Sequence, residues 1–134
     1  MGRFVKWDST KIFDRETGLF WEVKTPENVG DVYSWEEADQ YIQKLNHESF
    51  GGFSTWRLPT IQELVTIVDY SRYSPAIDSI FGPTKPSWYW SSTNLAYHYA
   101  YHIPDTWGVN FYSGGVIDFS KNASTHVRAV RESD

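Results

Sequence analysis

Thr55-Trp56-Arg57-Leu58-Pro59-Thr60-Ile61-Gln62-Glu63-Leu64-Val65 is the stretch from which the fold can be read. Thr60 and Glu63 stand as N-cap and N3 of a capping box. The threonine side chain satisfies the N3 amide and the glutamate reaches back to the cap amide. Ile61, Leu64, Val65 and Val68 then line one face of a helix that ends before Ser71. The same start signal occurs upstream. Ser34 and Glu37 form a second capping box, and Trp35, Ala38, Ile42 and Leu45 follow at helical spacing. Asn46 and then Gly51-Gly52 supply the stop. Two helices with matching starts are therefore predicted.

Working outward, the N-terminal side reads as a hairpin. Ile12-Phe13 and Leu19-Phe20-Trp21-Glu22-Val23 flank a polar turn that ends in Gly18, where a positive φ is favoured. Residues 24–33 are a polar loop. On the C-terminal side, Trp88-Tyr89-Trp90-Ser91-Ser92-Thr93 has strong strand propensity. Val109–Tyr112 and Val116–Phe119 flank Ser113-Gly114-Gly115 as a second hairpin, and Val127–Arg131 makes a last short strand. Hairpin, helix, helix and then several strands is the order of an α+β domain with an antiparallel sheet.

The 134 residues suit one domain spanning 1–134. With 40% hydrophobic and 18% aromatic residues, the chain can build a core without staples. No apolar run reaches the ~18 residues of a membrane helix, so membrane insertion is not expected. Twelve basic against 17 acidic residues leave a net charge of −5, which argues against nucleic acid as a partner. Cysteine is absent, removing disulfides, thiolate metal sites and a cysteine nucleophile. Met1–Asp8 carries no signal-peptide pattern. The chain is expected to be cytoplasmic as it stands, or a domain of a longer exported protein.

Gly18-Leu19-Phe20-Trp21, the Trp35–Leu45 helix and the Trp56-Arg57-Leu58-Pro59-Thr60 block make one half of a wider pattern. Asp69-Tyr70-Ser71-Arg72-Tyr73, Pro75–Asp78, Tyr89-Trp90-Ser91-Ser92-Thr93, Val109-Asn110-Phe111 and Val127–Arg131 make the other. In order and spacing these blocks resemble the C-terminal domain of Legionella collagen-like adhesins, over residues of about 13–131. The resemblance implies a C-type-lectin-like fold, related to formylglycine-generating enzymes. Such a fold has two helices, an antiparallel sheet joining the termini and a long loop region that carries ligand contacts. It further implies a bacterial surface or secreted setting and binding, including of glycans, rather than catalysis. Calcium has no lectin motif to support it, because Pro104-Asp105 and Trp107-Gly108-Val109-Asn110 are only fragments of one. Formylglycine chemistry needs cysteines, which are missing.

The candidate ligand contacts fall in the region 94–112: Asn94, Tyr97, Tyr99, Tyr101, Asp105, Trp107, Asn110 and Tyr112. If extended, Tyr97, Tyr99 and Tyr101 share one face. Tyrosine offers a flat apolar ring with a polar tip, on which a sugar can stack while Asn94, Asp105 and Asn110 hold hydroxyls. The same rings could instead pack under a loop and brace the sheet. His98 and His102 have a zinc-pair spacing without a third ligand, so no metal is expected. Asp69, Asp78, Asp105 and Asp118 read as caps and turns, and Arg57 as the partner of carbonyls or a carboxylate inside the fold. No catalytic set assembles around Ser91-Ser92, since no Gly-x-Ser-x-Gly surrounds either serine. The expectation is a non-enzymatic module recognising a glycan or protein surface, without a cofactor. The alternative is a structural domain that forms a homo-oligomer, such as a trimerising cap.

Overall fold

The structure, a computed structural model, describes residues 2–94 and 105–133. In chain order the strands and helices are β1 (Phe4–Lys6), β2 (Lys11–Asp14), β3 (Leu19–Glu22), α1 (Trp35–His47), α2 (Ile61–Thr66), β4 (Trp88–Asn94), β5 (Thr106–Asn110), β6 (Gly115–Phe119) and β7 (Val130–Glu132). Two antiparallel sheets result, one ordered β1-β2-β3-β7 and the other β4-β5-β6. The protein is thus α+β, and its first and last strands lie in one sheet.

Both helices start where their capping boxes place them. Ser34 and Glu37 cap α1 reciprocally, and Thr60 and Glu63 do the same for α2. Asn46 does not stop α1 as expected. It lies inside the helix, and its side-chain amide bonds both the N–H (2.7 Å) and the carbonyl (2.9 Å) of Trp56. The stop follows at Glu48, before the turn in which Gly51 and Gly52 take positive φ. Helix α2 is shorter than its apolar stripe. The amides of Ile67 and Val68 fall back to carbonyls three residues earlier, and Asp69 N–H is drawn to Ala76 O at 2.8 Å.

The remaining differences come from partners distant in sequence. Strand β1 pairs with β2 through the register Phe4↔Asp14. The buried Asp14 carboxylate secures it by accepting from Arg3 (2.9 and 2.8 Å), the Glu16 amide and the Thr17 hydroxyl. The expected strand 127–131 is not one ladder, because this segment passes between the sheets. His126 exchanges backbone bonds with Trp88 and Trp90 of β4, whereas Ala129 O and Val130 serve β3. The second hairpin is offset as well. Phe111 and Tyr112 leave its ladder, and their carbonyls accept from Ala76 (2.6 Å) and Ser74 (2.8 Å). That offset brings the Tyr112 ring beside Tyr73.

Strand β3 and the Tyr89–Ser91 part of β4 are buried on both faces. Trp21 and Tyr89 join one apolar cluster with Leu64, Phe81 and Phe111, while Phe20 and Trp90 join another with Trp56, Leu58 and Val127. Successive side chains on a strand point to opposite faces, so each of these strands serves both clusters. Among them lies a buried charge network. The Glu22 carboxylate accepts from Lys24 Nζ (3.0 Å), the Tyr41 hydroxyl and the Ala129 amide (2.9 Å), and Glu22 O accepts from Arg128 Nη1 at 2.6 Å. Burial pushes the Lys24 ammonium below its ordinary value despite Glu22, and burial together with Glu22 pushes the Tyr41 phenol up.

Candidate functional site

The blocks around Trp56 and Trp90 meet at one edge of the second sheet. Between Trp90 and Asn94 the β4–β5 register shifts, and Ser91 Oγ donates to Trp107 O at 2.5 Å. Ser92 N–H turns to Pro59 O at 2.8 Å, and Thr93 Oγ1 accepts the Ile61 amide at 2.9 Å. Arg57 braces this junction. It donates twice to Glu63 (2.7 and 2.8 Å), and also to Leu58 O and Glu132, so the guanidinium stays charged to higher pH than usual. Such a bidentate pair fixes orientation as well as charge. Arg57 is a structural cation here, as expected.

The predicted contact residues occupy both ends of β5. At one end, exposed Asn94 closes β4 and accepts from the Thr106 hydroxyl at 3.2 Å, with half-buried Asp105 alongside in sequence. Half-buried Trp107 follows, opposite Asp118 in the ladder. At the other end, Asn110 Oδ1 accepts the Tyr112 amide at 2.9 Å in an Asx turn, and Tyr112 is 50% exposed. Asn94 pairs with Thr106 and Asn110 with Trp88, so the two asparagines are separated by the length of the strand. Tyr97, Tyr99 and Tyr101 lie outside the described residues, as do His98 and His102.

Each end of β5 has its own concavity. By Asn94 is a cleft of about 380 Å³ lined by Trp35, Asp39, Arg57, Leu58 and Ser92. Its arginine is already held by two glutamates. At the Tyr112 end the surface is aromatic instead. Tyr70 is 67% and Tyr73 75% exposed, and the Tyr73 ring stands edge-on to Tyr112 at 6.3 Å. Tyr70 leans against Gly114, whose positive φ and lack of a side chain let the phenol approach. A Cβ there would lie 2.7 Å from the ring. Beneath Tyr73 opens a cleft of about 590 Å³ rimmed by Arg72, Asp78, Ser79 and Thr84, with Pro75 and Ile77 as its apolar part. Asp69 accepts from the Ser71 hydroxyl (2.6 Å) and amide (2.9 Å) and from Arg72 Nε (3.1 Å), which together hold its carboxyl below the usual range.

Tyr70 and Tyr73 were not expected as contacts. They stand in a polar run, Asp69-Tyr70-Ser71-Arg72-Tyr73-Ser74. Two aromatics there that extend no apolar period were the available sign of exposure. Their partnership with Tyr112 depends on the backbone bonds of Ser74 and Ala76 to the 111–112 carbonyls. Among the described residues, no three His, Asp or Glu side chains gather where they could hold a metal ion. No helix among them is long and apolar enough to cross a membrane.

The order of these blocks is that of one known family, and a model of the Lcl C-terminal domain matches residues 10–131. The chain belongs to that family. This Lcl C-terminal domain occupies nearly the whole sequence, from the first residues before β2 to the middle of β7. No protein of curated function matches it.

Proposed function

We propose that this Lcl C-terminal domain is a non-enzymatic binding and adhesion module of a bacterial surface protein, recognising a glycan or a protein surface. Its contact face is the Tyr112 end of the 94–112 region, widened by Tyr70 and Tyr73. The exposure of these three phenol rings at one end of the domain carries the reading. Water-exposed tyrosines give rigid, amphipathic contact area at small entropic cost, and these three lie outside both apolar clusters. Asp8, Asp14, Glu63 and Asp69 are held low by the donors beside them, in line with structural ion pairs and turns. The C-type-lectin-like arrangement implied by the motifs is consistent with the two helices and the sheet that holds both ends of the chain.

A glycan and protein array at physiological salt, run with calcium and then with chelator, tests this. The expected result is a reproducible ligand that survives chelation and weakens in Tyr112→Ser. An array silent toward the wild type, or a ligand equally bound by Tyr112→Ser, contradicts the reading. A second reading, self-assembly, is favoured by β6. Among the described residues this strand has a neighbour on one side only, and it exposes Val116 and Ile117 at 38% and 48%. Light scattering at micromolar concentration decides it: an oligomer that Ile117→Lys dissociates places an interface there.

A further inference from the structure

We propose that Tyr73 and Tyr112 form an oxidative cross-linking site, where the two phenols couple into an intramolecular dityrosine. This goes beyond the binding-module reading and does not depend on it. The ring centroids are 6.3 Å apart, and Tyr73 is 75% and Tyr112 50% exposed, so the pair is open to an oxidant. The backbones beneath them are already tied together. Ser74 N–H donates to Tyr112 O at 2.8 Å, and Ala76 N–H donates to Phe111 O at 2.6 Å. The rings stand edge-on, at an interplanar angle of 60°. Rotation about the side-chain bonds of exposed residues is fast, and it is the movement that brings the ortho carbons of the two rings together.

Composition and surroundings select this pair. The chain has no cysteine and a single methionine, Met1, so the sulfur side chains that ordinarily take up oxidant are nearly absent. Tyr33 and Tyr41 are also in ring contact, at 5.0 Å, but both are half-buried against the second apolar cluster. The Tyr41 hydroxyl donates to Glu22, and its ring carries the Lys24 ammonium at 4.4 Å, so that ring is held in place. Tyr70 leans on Gly114 instead, its hydroxyl 3.5 Å from the glycine carbonyl.

The reaction balances with hydrogen peroxide as the oxidant and a haem peroxidase as its agent. Each phenol gives up one electron and one proton, and the two tyrosyl radicals join by a carbon–carbon bond ortho to the oxygens. The two ortho ring protons then return to the oxygens through water and restore both hydroxyls. The chain loses two hydrogen atoms in all, and one hydrogen peroxide becomes two waters. The new bond closes the chain between residues 73 and 112 and restrains the unfolded state as a disulfide does. A chain without cysteine has no disulfide for that purpose.

The test treats the whole domain, at low micromolar concentration, with a haem peroxidase and a small excess of hydrogen peroxide, followed by peptide mapping. The expected product is a monomer on a denaturing gel that fluoresces as dityrosine and is lighter by two hydrogens. Its cross-linked peptides should join Tyr73 to Tyr112. Tyr73→Phe and Tyr112→Phe should each lose this peptide pair at an unchanged melting temperature, and Tyr70→Phe should keep it. A cross-link that maps to other tyrosines, coupling only between chains, or oxidation without any cross-link overturns the proposal. A Tyr73–Tyr112 link whose yield falls in proportion to dilution also overturns it, because that marks a bond between molecules.

Discussion

Glu22 is the centre of a buried charge network. It is fully buried and receives Lys24, Tyr41 and the Ala129 amide, and its carbonyl receives Arg128. Removing one member of a buried ion network leaves the others charged and unpaired, at a cost of about 3–5 kcal/mol. Glu22→Ala is therefore expected to lower unfolding free energy by about that amount in urea, far beyond the effect of Glu36→Ala on the exposed face of α1. His126 gives the protein a mild acid sensitivity. Its Nδ1–H donates to Asp31 O at 3.0 Å, its ring packs on Tyr89, and burial holds the imidazole below its ordinary 6.5. The unfolded chain then takes up the proton first. The stabilisation is complete above pH 6.5 and is lost as pH falls through the lower native value. Urea midpoints measured between pH 7 and 5 should decline in the wild type and flatten in His126→Asn. A further decline follows in stronger acid. Burial opposes it, yet hydrogen bonds from Lys11 and Thr10 hold Asp8 down at about 2, and Asp14 and Glu63 are likewise held low by Arg3 and Arg57. Their share is present above the ordinary carboxylate values and lost below them.

Among the elements, β5 makes the most exacting demand. Gly108 lies under Phe119 and beside Tyr89 O. A Cβ at that position would sit 2.4 Å from the Phe119 ring and 2.8 Å from the carbonyl. The ring in turn packs on Trp90 at 4.8 Å and Trp88 at 5.6 Å, so it has little room to retreat. Gly108→Ala should cost about 1–3 kcal/mol in urea unfolding, and an unchanged midpoint would contradict this packing. The elements also show which features were legible in the sequence. Ser34 with Glu37 and Thr60 with Glu63 announced the helices, because a capping box is closed within four residues. The bidentate role of Arg57 was foreseeable in kind for a similar reason, since Glu63 is only six residues further along. Strand β1 and the passage of residues 126–132 between sheets were not foreseeable, because their partners lie far along the chain. Tyr112 could be singled out from its own hairpin as a candidate contact residue. Tyr70 and Tyr73 could not be joined to it until the 74–76 segment was seen bonded to the 111–112 carbonyls.

At the scale of the whole molecule, the two clusters, the caps and the Glu22 network use most of the large side chains, and Tyr70, Tyr73 and Tyr112 remain outside them. The separation of scaffold from surface is the physical content of the binding-module account. Substitutions in the scaffold should lower stability, and substitutions at the three rings should lower binding alone. The most direct measurement is therefore a pair of readings on the triple variant Tyr70→Ser, Tyr73→Ser, Tyr112→Ser: binding to the ligand found by the array, and the melting temperature. The account predicts that binding is abolished while the melting temperature stays within about 2–3 °C of the wild type, the scale of neutral surface changes. Binding that persists in the triple variant, or a melting temperature that collapses, would contradict it.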